Sequence, residues 1–377
     1  MHCQRRKPSN YELCIMNYEL KRMEWLDAMR GFTMLMVVAY HMSQMAYTQT
    51  LRTSASLPFF VLFRMPLFFF VSGFLAYKAS FVWSARNTLS LLAKKFKIQV
   101  FPALVFLCIL LILKRPKFCE SFLAAMNSAT KGGYWFTWAL LQMFAVYYLF
   151  SYCVQRLSQR AQRACLWGLW VASLVAYEFC YMPKVFDAEH NDFLNATSLI
   201  QLMKYLHFFL MGNLVHRYWT AQSPDQKGPV QRLFDSSWFY PTLVILAFIC
   251  CADIFRWHNL KFVWTNLPRT TAMYCLMFIV IIFFRYYQAW FTRQTWVGRS
   301  LQYVGTRTLD VYLIHFLLMP KLPAVGKWLD KMQPNFLLDF LISLLPALII
   351  VAFCLLISNI MRISPFFSEN FFGRKKG

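Results

Sequence analysis

An all-α bundle of about ten membrane-crossing helices is what this sequence predicts, on three observations. Hydrophobic residues make up 59% of the 377 and charged residues only 15%, against roughly 45–50% and about 25% in soluble domains. The apolar residues gather into runs of about the 17–25 residues needed to cross a hydrocarbon layer. The bases, 39 Lys and Arg against 16 Asp and Glu, are divided unevenly between alternate loops. Disorder, collagen and coiled coil are excluded by composition. The formal charge of +23 is read as loop asymmetry, not as a nucleic-acid footprint, so no nucleic-acid partner is expected.

In chain order the runs cover 31–49, 58–77, 98–114, 134–154, 164–182, 199–219, 238–255, 268–290, 302–320 and 337–361. The first follows the polar segment that ends at Arg30. The second is nearly continuous Phe, Leu and Val, interrupted by Arg64 and Pro66. The third is short and carries Pro102; the fourth opens on Tyr134-Trp135-Phe136, an aromatic start suited to an interface. The fifth and sixth are long apolar runs, the seventh ends on Asp253, and the eighth closes near Tyr286 and Tyr287. The ninth holds Asp310 and His315, where Arg307, three residues earlier, is the inexpensive partner for the acid. The tenth is the longest. No loop exceeds about thirty residues, so the expected organisation is an N-terminal segment 1–30, one transmembrane domain 31–361 and a basic tail 362–377.

An even number of crossings puts both termini on one side. Two thirds of the bases outside the runs lie on that side, including Arg5, Arg6, Lys7, Lys94, Lys95, Lys97, Arg374, Lys375 and Lys376, which makes it cytoplasmic. The 114–131 loop, with Lys114, Arg115, Lys117 and Lys131, dissents. The first thirty residues are polar, so no signal peptide is expected. The 11 Cys are scattered, several inside apolar runs, with no CxxC, and read as small apolar fillers. His and Asp lack zinc spacing, so no metal is expected.

An ionisable group within hydrocarbon is a functional candidate by default, because its burial is costly unless it is paired or faces a cavity. His41, Arg64, His207 and His315 are four such groups. At 1.5 Å per residue they fall roughly 8–12 Å beneath the outer interface, which suggests one lined cavity. Arg30 and His41 are eleven residues apart, about three turns and ~16 Å on one helix face, with Asp27 in pairing range of Arg30. Such a stripe suits a molecule that enters from the cytoplasm and reacts deeper. The bland alternatives are an anchor arginine and a hydrogen-bonded packing histidine.

The stretch Trp25-Leu26-Asp27-Ala28-Met29-Arg30-Gly31-Phe32, with Tyr40-His41 beyond it, resembles the first-helix signature of the acyltransferase-3 family of integral-membrane acyltransferases. Arg64-Met65-Pro66-Leu67-Phe68-Phe69-Phe70-Val71-Ser72-Gly73-Phe74 is similar to the second-helix signature. Lys94-Lys95-Phe96-Lys97 followed by Pro102 resembles the family's basic cluster, with Lys where Arg is usual, and Tyr134-Trp135-Phe136 its Trp-Phe segment. Phe208-Phe209-Leu210-Met211-Gly212 and the stretch from Gly305 to His315 resemble the late signatures. The resemblance is to the stand-alone form, so the C-terminal esterase-like domain of some relatives is not expected.

That resemblance implies transfer of an acyl group, most often acetyl from acetyl-CoA, to a hydroxyl of a glycan or lipid-linked sugar at the inner (cell) membrane of a bacterial-type envelope. It makes His41 the catalytic base, Arg30 its partner and Arg64 a second essential cation. A neutral imidazole can take the proton of a poorly nucleophilic hydroxyl, and a guanidinium can stabilise the oxyanion. The anionic phosphates of acyl-CoA, a donor substrate and not a tightly bound cofactor, fall to Lys94, Lys95 and Lys97. The Lys-for-Arg exchange removes bidentate phosphate geometry there. Trp135, His207, Tyr312 and His315 are candidate cavity residues, each with packing or interfacial anchoring as its alternative. Direct transfer and a covalent intermediate both remain open. A secondary transporter is the alternative function, which internal repeats and matched helix breaks would favour and this sequence does not display. Asn195-Ala196-Thr197 matches a glycosylation pattern that a bacterial source would void.

Overall fold

The computed structural model describes residues 23–78, 81–114, 117–180, 191–219, 227–251, 267–332 and 335–371, and every regular element among them is helical. The basic ends at Arg5–Lys7 and Arg374–Lys376, and Asp253 at the close of the seventh run, lie outside these residues. In chain order the helices are α1 (Glu24–His41), α2 (Leu57–Ala76), α3 (Ala85–Lys95), α4 (Phe101–Lys114), α5 (Phe118–Asn127), α6 (Trp135–Val154), α7 (Gln159–Val175), α8 (Asp192–Thr197) and α9 (Leu199–Arg217). They continue with α10 (Pro229–Phe234), α11 (Phe239–Cys251), α12 (Leu267–Tyr286), α13 (Trp296–Gly305), α14 (Thr308–Leu318), α15 (Pro323–Lys331), α16 (Phe336–Met361) and α17 (Pro365–Asn370). Side-chain caps begin several of them: Ser84, Ser158, Asn191, Thr295 and Asn335 each accept from a backbone N–H of the first turn.

By length and composition, five helical stretches among the described residues can cross a membrane: 57–76, 85–114, 135–154, 269–286 and 336–361. A sixth follows if α14 and α15, bent by 91° at the Pro320–Pro323 connection, count as one span. The first predicted run starts a full two turns early, at Glu24, because an amphipathic first turn with Glu24, Asp27 and Arg30 is helical without being apolar. The third is likewise extended. Residues 85–95 are polar enough to escape a hydropathy count yet continue through a π turn, Phe96–Val100, into α4. Pro102 falls just past that turn, where the i to i−4 ladder is already interrupted, so its missing N–H is tolerated. The ninth run is broken at Thr306–Arg307 into α13 and α14.

Two helix crossings organise the bundle. Where α1 meets α13, a Cβ on Gly31 would stand 2.0 Å from the Leu301 carbonyl oxygen, and one on Gly305 1.8 Å from that of Asp27. Where α2 meets α9, Gly73 and Gly212 make the same approach to Phe209 and Phe70. Such backbone-to-backbone contact is how helices associate in lipid, where burial of apolar side chains gives little drive. α1 is consequently buried on most of its circumference. The outer helices are the reverse: α16 exposes Leu337, Leu341, Leu345, Leu348, Phe353, Leu356 and Ile360 along one stripe, a surface suited to acyl chains.

The spacing-based partner of Asp310 is corrected. Arg307 lies in the break before α14, with φ −123° and ψ 23°, so no helical i,i+3 relation carries it to Asp310; it reaches Tyr303 and Asn359 instead. Asp310 is buried against α16, where Arg362 donates at 2.6 Å and Ser358 at 2.5 Å. Arg362, the first residue of the expected tail, is therefore a structural lock.

Two outcomes test this packing. Gly212→Ala should destabilise the detergent-solubilised protein by about 1–3 kcal/mol through overpacking, while Gly168→Ala, with open space around its Cβ position, should not lower the melting temperature. Arg362→Ala leaves a buried carboxylate unpaired and should cost about 3–5 kcal/mol; Arg307→Ala should cost clearly less in the same melts.

Candidate active site

A cavity of about 400 Å³ opens between α1, α2, the α3–α4 run, α6 and the start of α14. Helical periodicity decides which residues face it. α1 contributes Arg30, Met34, Val37 and His41, spaced four, three and four apart on one face. From α2 come Arg64, Phe68, Val71, Ser72 and Leu75; from the α3–α4 run, Leu91, Lys94, Lys95, Ile98 and Gln99. Trp135, Phe136, Leu140, Phe144 and Tyr148 line it from α6, and Thr308, Leu309 and Tyr312 from α14.

Its charges are of one sign. Arg30, Lys78, Lys94, Lys95 and Arg64 line the wall, and among the described residues no Asp or Glu does. Lys95 stands within electrostatic range of Lys78, Lys94 and Arg30, and its Nζ lies 3.9 Å above the Phe144 ring. Arg30 is tethered by Asp27 at 3.4 Å and by the Thr308 hydroxyl at 3.2 Å, so the predicted α1 pairing is present. Arg30, Lys78, Lys94 and Lys95 gather towards the Glu24 end of α1, while His41 and Arg64, over Tyr40, lie at its other end.

Arg64 is buried, and its Cζ lies 3.6 Å from the centre of the Tyr40 ring. Among the described residues no carboxylate is within ion-pair distance of it, and its buried Nε has no hydrogen-bond partner. The aromatic face compensates for part of the lost hydration. What remains is a cation that any anionic atom entering the cavity would satisfy.

His41 is half-buried, in ring contact with Tyr40, His315 and Phe316 at 5.1, 5.2 and 5.1 Å. The turn that brings Trp135 and Tyr312 to the same wall depends on glycine. Gly132 and Gly133 have φ of +62° and +106°, and a Cβ on Gly133 would fall 2.8 Å from the Phe316 ring. Tyr312 donates to the Gly133 carbonyl at 3.0 Å and accepts from the Phe136 N–H at 3.3 Å; Trp135 stacks on Tyr205. Lys131, before the glycines, is fully buried and donates to the carbonyls of Met126, Asn195 and Ala196. Burial lowers its ammonium pKa. The 195–197 sequence pattern thus belongs to a short helix held by this lysine.

Of the predicted residues, His41, Arg30, Arg64, Lys94, Lys95, Trp135 and Tyr312 line the cavity together. Three do not. Lys97 is exposed on the π turn, off the inner face that carries Lys94, Lys95, Ile98 and Gln99. His315 sits behind His41, its Nδ1 donating to the Val311 carbonyl at 3.0 Å. His207 belongs to a separate buried cluster, its Nδ1 2.8 Å from the Tyr274 hydroxyl, which also accepts from Trp170 at 3.1 Å. The expected common layer does not translate into one cavity, because the helix faces differ. Tyr40, Lys78 and Thr308 were not singled out by sequence. Tyr40 had the one usable signal, adjacency to His41.

A family model described as an acyltransferase domain matches residues 23–361. No curated protein and no solved structure matches the chain.

Proposed function

The chain belongs to the acyltransferase-3 family of membrane acyltransferases, and from that premise we propose that it moves a short acyl group, acetyl first, from acyl-CoA to a hydroxyl of a glycan or lipid-linked sugar. The observation that carries this reading is the cavity itself. It joins a cluster of cations to a histidine and a buried guanidinium that has no carboxylate partner, and no Asp or Glu among the described residues lines it. Phosphates of the donor would meet Arg30, Lys78, Lys94 and Lys95. The extended pantetheine arm would run past Met34, Val37 and Phe144 and present the thioester beside His41 and Arg64. The loop bias favours the basic mouth on the cytoplasmic side, where acyl-CoA is made.

His41 then acts as general base. The acceptor oxygen forms its bond to the acyl carbon as its proton passes to the imidazole, and the carbonyl oxygen takes up the negative charge facing Arg64. Collapse breaks the carbon–sulfur bond, and the proton on His41 returns to the departing thiolate. Atoms and charge balance without an enzyme-bound acyl group. Burial strengthens the Arg64 contribution, since the same charge in water would be screened. Trp135 and Tyr312 offer an aromatic wall and a fixed hydroxyl to a sugar ring.

Purified protein given radiolabelled acetyl-CoA and envelope glycan should transfer label, and His41→Ala should lower kcat by about 10²–10⁴-fold with the melting temperature retained. Undiminished transfer by that variant would overturn the assignment of the base. The basic cluster is tested by KM. Lys95→Ala should raise KM for acetyl-CoA about tenfold, the size of one charge-assisted contact, whereas Lys97→Ala, off the cavity, should leave it unchanged. Equal effects at both positions would return the cluster to topology alone.

A further inference from the structure

Two buried nitrogens on neighbouring rings have no hydrogen-bond partner among the described residues: Nδ1 of His41 and Nε2 of His315. The rings lie 5.2 Å apart, centre to centre, at 34°. His315 is not part of the cavity wall and is fully buried, from α14, against the back of His41. Its other nitrogen is committed. The Val311 carbonyl can only accept, so Nδ1 of His315 carries the hydrogen, and in the neutral ring Nε2 holds a lone pair. On the neighbouring ring the buried Nδ1 of His41 is equally without a partner among the described residues, and a lone pair is answered by an N–H.

We infer that His315 is a positioning residue, which selects the His41 tautomer with hydrogen on Nδ1 and leaves Nε2 of His41 as the basic atom. The inference rests on the acyl-transfer reading for its consequence, but not for its chemistry. Hydrogen bonds of this kind are often long before substrate is bound and tighten in the loaded complex. When Nε2 of His41 takes the acceptor's proton, the imidazolium that forms keeps its Nδ1–H on the His315 lone pair. It then returns the Nε2 proton to the thiolate, and His315 neither gains nor loses a proton. The remaining polar groups around the pair favour this order. Arg64, over Tyr40, repels charge on His41 until the oxyanion forms, while Tyr134 and Tyr312 are bonded to the backbone at Leu313 and Gly133 and do not compete for either nitrogen.

The direct test is nitrogen NMR of protein labelled with ¹⁵N-histidine in detergent, with the His41 signals identified by their loss in His41→Gln. Wild type should show His41 protonated at Nδ1, and His315→Leu should show a mixture of tautomers. His41 protonated at Nε2 in wild type, or an unchanged tautomer in His315→Leu, overturns the inference. In the transfer assay, His315→Leu should lower kcat about 10–100-fold at unchanged KM for acetyl-CoA and unchanged melting temperature. His315→Gln, whose amide oxygen can accept the same hydrogen bond, should recover most of the loss. Wild-type kcat in His315→Leu also overturns it. If wild type transfers no acyl group from any CoA thioester, the transfer reading fails, and the NMR result decides the histidine pair on its own.

Discussion

Everything functional in this molecule hangs on the close approach of helix backbones at Gly31 with Gly305 and at Gly73 with Gly212. In lipid there is no large gain from hiding leucine, so helices that must stay in fixed register rely on van der Waals contact at short range. The first crossing holds α1 against α13, one break away from α14; Arg30 then meets Thr308, and His41 meets His315 and Phe316. The second holds α2 against α9 and sets the height of Arg64 beside Tyr40. A methyl group at any of the four positions would separate the helices by more than the tolerance of a hydrogen bond.

How much of this was legible in the sequence follows from what periodicity can see. Spacing alone puts Arg30 and His41 on one face, and the observed wall of Arg30, Met34, Val37 and His41 is that face. Hydropathy locates the apolar middles of the helices. It is blind to their polar ends, so α1 and α3 begin well before the apolar runs, and Lys94 and Lys95 prove to be helical wall residues. Azimuth was not legible: His207 bonds to Tyr274 and not into the cavity, because nothing in one sequence fixes the rotation of α9 relative to α1. The Asp310 partner failed for a local reason, a backbone break that cancels the i,i+3 rule it was read from.

The acids explain the charge of the cavity. Asp27 is turned to Arg30, Asp310 to Arg362 and Ser358, and Asp339 accepts from Ser54 and from the backbone N–H groups of Ala55 and Ser56, where it closes the entry to α2. Outside the spans, burial works to raise the Asp235 carboxyl, and Arg285 and Lys227 outweigh it and hold it below the usual range. Asp27 steadies a cation within its own helix, and the other three hold one element to another.

That division of labour has a chemical consequence. A carboxylate near Arg64 would neutralise it in the resting protein and weaken its pull on any charge that develops later. With all of these acids engaged elsewhere, Arg64 rests against the Tyr40 ring, a partner that steadies a guanidinium without cancelling it. The net charge of +23 is therefore more than topology. Part of it is the positive lining of a cavity that an anionic ligand would neutralise. The resting protein bears the cost of that imbalance, and the glycine-locked crossings are what keep the bundle together while it does.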